Sequence, residues 1–245
     1  ASGNLGNDAN GGTDLTENNI VAADQATDTP TNNFCTLNPL NYGTATGITL
    51  SEGNLTATTA SGTTWYPGYG TLGFLGTGKW YYEMKVTVLA GSSYTYMGIV
   101  DADQMTNADG TFSSKSRGYG YNQAGEKGNN NSDASYGDSF TTGDVISMAY
   151  NNGTIWFGKN GTWQNSATSG EIAAGTTTNC AYTGIDTTKV FLPAVQMYGG
   201  TTTDSFNFGG CPSFAITSGN TDGNYGNFEY APPSGCLALC TKNLG

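Results

Sequence analysis

The most constraining stretch of the chain is Lys79-Trp80-Tyr81-Tyr82-Glu83-Met84-Lys85-Val86-Thr87-Val88. Trp80, Tyr82, Met84, Val86 and Val88 fall on one face of an extended segment, and Lys79, Tyr81, Glu83, Lys85 and Thr87 on the other. A period of two belongs to a β-strand with one packed and one wet face. A second unit follows at 144–163. Val145–Tyr150 reads as a strand, Asn151-Asn152-Gly153 as a turn and Thr154–Lys159 as the returning strand, before Asn160-Gly161 leads into Thr162-Trp163. Asn-Gly suits a type I′ turn, whose two central residues need positive φ. An antiparallel meander with a tight turn at Asn160-Gly161 is therefore predicted, with no helix in 144–159.

Further strand signals recur every 10–15 residues, at 49–51, 54–58, 71–75, 94–101, 118–122, 191–197 and 203–208. No helical periodicity spans ten residues, and no repeat suggests a propeller or solenoid. Many short strands with Gly-rich turns predict an all-β fold, a two-sheet antiparallel β-sandwich with extended N- and C-terminal flanks. Residues 1–33 read as a polar arm or linker, and 34–245 as the sandwich, its core at about 50–210. Segment 28–40 is expected to run extended across a neighbouring surface. The tail at 211–245, with Pro212, Pro232, Pro233 and Leu237-Ala238-Leu239, is expected to pack back over the sandwich. In the arm, Ile20-Val21 and the following Phe34 would be exposed on an isolated chain. A homo-oligomer or larger assembly, with the arm lying on a neighbour, is therefore expected.

Charge removes several functions. Eight Lys and Arg stand against 19 Asp and Glu, a net charge of −11, and Arg117 is the only guanidinium. Phosphate backbones and anionic membrane surfaces both require clustered cations, so no nucleic-acid partner is expected, anionic membrane surfaces are disfavoured and no membrane insertion is expected. No apolar run approaches the roughly 20 residues of a membrane span. The chain is expected to be soluble, and its start at Ala1 fits a processed product or a segment of something longer. There is no His, which removes Ser-His-Asp and Cys-His nucleophile systems and the usual His-based zinc sites. Glycoside hydrolysis needs paired carboxylates. Glu83 has no acidic partner two residues on, and Glu52, Glu126, Glu171 and Glu229 are isolated, so no enzyme is expected.

The five cysteines, Cys35, Cys180, Cys211, Cys236 and Cys240, contain no C-x-x-C pair. The odd count leaves a thiol over unless it crosslinks chains. Structural disulfides and five small buried hydrophobes both remain open.

Several blocks resemble the SPRY-domain family. Gly78–Glu83 is similar to the strand that opens the SPRY core, Met97-Gly98-Ile99-Val100 to the next, and Gly118-Tyr119-Gly120-Tyr121 to its aromatic-Gly-aromatic strand. The most specific block is Gly143–Ile146 with Asn152–Gly161. Phe191–Val195 and Phe206–Gly209 resemble the closing strands. The matches keep family order from about 50 to 210. The resemblance implies a non-enzymatic sandwich whose end loops bind partner peptides or proteins. The flanks at 29–39 and 231–244 resemble segments around SPRY modules in large tailed-bacteriophage virion proteins. That implies a fibre, tail or capsid-decoration module on the virion surface or outside the cell, in contact with other virion subunits or a host-surface protein or glycan. The alternative is a carbohydrate-binding or adhesin module of a cell-surface protein, with platforms at Tyr66, Tyr69 or Trp163. SPRY modules keep their termini close, which implies that Cys35 and Cys240 meet and can form a disulfide.

By the same resemblance the binding loops are Trp65–Tyr69, Asp109–Phe112 and Met197–Gly200, and the binding residues Tyr66, Pro67, Tyr69, Phe112, Tyr198 and Gly199. Trp65 is expected to complete the core. These loops lack the Arg common on SPRY binding faces. No cofactor is expected. Ca²⁺ at Asp101, Asp103 and Asp109, or at the oxygen-rich loop 129–133, competes with Asx-turns as an explanation of those residues. Asn54, Asn130, Asn152 and Asn160 each begin an N-x-Ser/Thr sequon.

Overall fold

The computed structural model describes residues 12–13, 16, 28–40, 47–59, 62–105 and 111–245. In chain order the strands are β1 (Ile48–Ser51), β2 (Thr56–Thr59), β3 (Trp65–Tyr69), β4 (Phe74–Leu75), β5 (Lys79–Leu89), β6 (Tyr94–Asp101), β7 (Gly118–Asn122) and β8 (Glu126–Asn129). They continue as β9 (Ser132–Ser135), β10 (Val145–Asn151), β11 (Thr154–Lys159), β12 (Thr162–Trp163), β13 (Val190–Tyr198), β14 (Thr202–Asn207), β15 (Asn220–Thr221) and β16 (Asn227–Phe228). Two antiparallel sheets carry the fold, the first ordered β1-β2-β14-β5-β10-β11-β12 and the second β3-β13-β6-β7-β8-β9, with β4 also on β13. The small pair β15–β16 lies apart. The meander stands as expected, and its turn residues Asn160 and Gly161 have φ of 49° and 80°.

The main core fills the space between the sheets. Trp80, Tyr82, Met84 and Val86 of β5 meet Met97 and Ile99 of β6 and Phe191, Val195 and Met197 of β13. Each fully buried side chain of this size contributes about 1.5–3 kcal/mol. Tyr82 Oη donates to the Gly98 carbonyl at 2.5 Å, so even this inward phenol bridges the sheets with its hydrogen bond satisfied. Val88, beyond the irregularity in the β5–β14 register, is exposed instead. A carboxylate also lies between the sheets. Asp204 accepts from Thr95 Oγ1 at 2.6 Å through Oδ2, while its Oδ1 has no partner. Burial pushes its pKa up to about 7.

The outer face of β5 is wet only toward its end, where Thr87 is exposed, and its middle is covered, contrary to the alternation. Tyr81 and Glu83 are fully buried. Phe228, Cys236, Ala238 and Cys240 of the tail form a second cluster over Tyr81, Ala149 and Trp156. Leu237 pairs beside β5 below the last position that β14 reaches, with Tyr81 N donating to the Leu237 carbonyl at 3.0 Å, and packs against the main core. Glu83 fastens the tail. Its carboxylate accepts from Tyr81 Oη (2.9 Å), Asn207 Nδ2 (3.0 Å) and the backbone amides of Glu229 (2.9 Å) and Tyr230 (2.8 Å). Burial raises its pKa, and these four donors oppose the rise.

The N-terminal flank joins the same layer. Phe34 pairs with Cys240, and Cys35 N donates to the Leu239 carbonyl at 2.9 Å, so the two flanks do meet. Phe34 is buried by its own chain, not left exposed for a neighbour. Gly210 makes room for its ring, since a Cβ there would lie 2.6 Å from Phe34 Cγ. Cys35 and Cys240 are nonetheless free thiols. Cys35 is one residue off the Phe34–Cys240 pair, and neighbouring side chains along a strand point to opposite faces. Cys35 accordingly enters the main core and Cys240 the tail cluster. Burial pushes the Cys35 thiol up to about 11. Ile20 and Val21 lie outside the described residues.

Candidate functional site

The six residues expected to bind do not form one surface. Segment 65–69 is not a loop but β3, an edge strand of the second sheet, where Pro67 costs little ladder because one side is unpaired. Tyr69 is buried on the outer face with Tyr96, Val100 and Phe112, and burial pushes its pKa up to about 12. Phe112, in a short 3-10 turn at Phe112–Ser114, is the plug of that small cluster and is fully buried. Pro67 and Gly199 are buried as well. Tyr66 is half-buried and packs against the main core, its ring filling the space where a Cβ on Gly47 would stand. Only Tyr198 of the six belongs to an open aromatic surface.

That surface follows from register. Trp65 of β3 lies opposite Tyr198 of β13, and Tyr198 lies opposite Tyr94 of β6. Met197 faces the core, so Tyr198 and its two cross-strand partners face outward. Ring centroids are 5.0 Å apart for Trp65–Tyr198, 6.0 Å for Tyr94–Tyr198 and 6.0 Å for Trp65–Tyr94. Tyr96, next along the same face of β6, supports Trp65 edge-on at 5.6 Å, and its hydroxyl donates to Asp133 Oδ2 at 3.0 Å. Burial is the main cause that pushes the Tyr96 pKa up to about 12. Tyr94 is 42 % exposed, the most open member of the row. The alternation along β3 thus reverses the expected roles, with Trp65 outward and Tyr66 against the core. Tyr94 was missed altogether. The Tyr94-Thr95-Tyr96 alternation was available as a signal, but its place beside Trp65 needs the β6–β13–β3 register.

The other candidate positions have local explanations. Asp101 is ion-paired with Arg117 and accepts from the Asp103 amide at 2.9 Å, while Asp103 pairs with Lys189 at 3.1 Å. Two of the three acids proposed for Ca²⁺ are therefore already paired with cations, and Asp109 lies outside the described residues. In loop 129–133, Asn129 Nδ2 donates to the carbonyls of Lys115, Ser116 and Gly118. The four sequon asparagines all have positive φ, 44–64°, which Asn tolerates better than most residues. Among the described residues no helix is long and apolar enough to cross a membrane.

Two antiparallel sheets packed face to face, with aromatics from three adjoining strands on one outer face, define a β-sandwich. Residues 79–211 match the SPRY domain family, and the chain belongs to it. The crystal structure of the SPRY domain of human HERC1 shares the fold, with a TM-score of 0.53 and 19 % identity over 69 % of this chain and 96 % of that one. No curated protein matches the chain. SPRY domains mediate protein–protein interaction, and this chain carries that module.

Proposed function

We propose that the chain is a non-enzymatic contact module of a tailed-phage virion, carried on a fibre, tail or capsid, where it meets a neighbouring subunit or the host surface. The observation that carries the contact role is the outward row Trp65–Tyr198–Tyr94 on an interaction-module fold. Rigid aromatics bring contact area at low entropy cost, and tyrosine hydroxyls keep such a surface soluble. The sole Arg is held by Asp101 and the net charge is −11, so the partner surface is neutral or basic rather than acidic. The virion setting rests on the flanks at 29–39 and 231–244, which resemble segments around SPRY modules of phage virion proteins. Immunogold labelling of purified particles with an antibody to the chain tests the setting, and adsorption of Tyr94→Ala particles to host cells or their stability in assembly tests the row. Labelled particles that adsorb or assemble less well support the proposal, whereas particles without label reject the setting and unaffected Tyr94→Ala particles reject the row.

A further inference from the structure

The layer over the first sheet leaves an opening beside Trp163, and its chemistry is specific. Across the outer face of that sheet, Asn207, Glu83, Ser147, Gly158 and Trp163 lie opposite one another in a single row on β14, β5, β10, β11 and β12. Gly158 supplies no side chain, so the row has a gap there. The result is a cleft of about 140 Å³ floored by Gly158 and walled by the Trp163 indole and the Tyr230 ring. This far exceeds the ~10–15 Å³ that one water needs.

The polar groups in the gap are held in place from behind. Tyr81 Oη lies 2.9 Å from both Glu83 Oε1 and Ser147 Oγ. A phenol has one proton, and the carboxylate is the stronger acceptor, so Ser147 closes the chain by donating its own proton to the phenol oxygen. Ser147, 2 % exposed, then turns its lone pairs to the cleft. At the rim, Ser169 Oγ accepts from Trp163 Nε1 at 3.1 Å and keeps its own proton to donate. The cleft therefore offers an acceptor in depth, a donor at the mouth, two aromatic walls and a carboxylate behind the phenol that repels anions. Aromatic rings beside a few placed polar groups are a make-up shared with small-ligand sites.

We propose that this cleft binds one neutral sugar ring, the end residue of a glycan. A ring whose hydroxyls both donate and accept, and whose C–H faces pack on aromatics, meets each of these features. The site is on the opposite sheet from the aromatic row, and the inference stands without the virion reading. The test is saturation-transfer NMR of the intact chain with methyl glycosides of glucose, galactose, N-acetylglucosamine and rhamnose at about 20 mM, where a millimolar site is nearly filled. Tryptophan fluorescence gives the affinities, and an array of glycans with these residues at their ends separates an end-residue site from one for free monosaccharide. At least one glycoside is expected to bind, about 10-fold or more weaker in Trp163→Ala and about 5–10-fold weaker in Ser147→Ala. Gly158→Val, whose Cβ would lie 3.2 Å from Trp163 Cε3, fills the gap and is expected to abolish binding. Val190→Ala, at an exposed position with no part in either surface, leaves it unchanged. No saturation transfer from any glycoside, or binding that survives both Ser147→Ala and Gly158→Val in folded protein, overturns the proposal, as does binding of free sugars with no glycan end retained on the array.

Discussion

The outer faces of the two sheets began with the same problem and solved it differently. Each carries large aromatics outside the sandwich. Over the first sheet, Tyr81 and Trp156 are fully buried in a cluster that joins the tail with Ala167 and Ile172, and the tail is held by the Glu83 carboxylate. Over the second, the turn carrying Phe112 covers Tyr69 and Val100 but stops short of Trp65, Tyr198 and Tyr94. Aromatic content is therefore a poor guide to a recognition surface. What decides is whether another part of the chain is anchored over it, and anchoring here is polar, through a carboxylate that satisfies four donors.

The largest expected effect comes from opening the closed face. Glu83→Ala removes the shared acceptor of four donors and strands the Glu229 and Tyr230 amides, and is expected to cost about 3–5 kcal/mol in chemical denaturation. Amide exchange should rise most in residues 227–240. A tail that stays protected in this variant would show that apolar contact alone holds it.

Asp204 serves as the interior control, since it lies between the sheets and belongs to neither outer face. Its folded pKa, about 7, stands above the ordinary 3.8, so the folded state holds the proton more tightly than the unfolded. The stability associated with that proton is fully present below about pH 4 and is lost as the pH rises through 7. Asp204→Asn is expected to stabilise the protein by about 2–4 kcal/mol at pH 8 and to give almost no gain at pH 4. Equal gains at both pH values would mean that the carboxylate is not desolvated.

The smallest effect belongs to the open face. Tyr94→Ala removes a side chain already 42 % exposed, and should cost less than about 1 kcal/mol in the same denaturation measurement. A loss comparable with that of Glu83→Ala would make Tyr94 a packing residue and erase the contrast between the faces.

The sandwich was legible because local signals and tertiary packing agree in it. The inner face of β5 and the meander with its Asn160-Gly161 turn both stand where alternation and turn chemistry put them. The outer face was not, because Tyr81 and Glu83 are covered by residues nearly 150 positions away, and nothing in a polar-looking alternation announces such a cover. Short elements escaped for a similar reason. Strand β3 contains Pro67 and reads as a loop until an edge position accommodates it. The six-residue helix α1 (Ser169–Ala174) is too short for periodicity, although its capping box, Thr168 with Glu171, was visible as T-x-x-E. The aromatic row was half legible. Its residues stood out, but which of Trp65 and Tyr66 faces outward depends on a one-residue choice of register that the strand edge makes.

Hydroxyl-radical footprinting of the folded chain, read residue by residue, tests the contrast most directly. Rapid modification of Tyr94 is expected, with Trp65 and Tyr198 following, and strong protection of Tyr81 and Trp156 until the tail is released by Glu83→Ala. Protection of Tyr94 and Tyr198 together with rapid labelling of Tyr81 or Trp156 in the unaltered chain would contradict it.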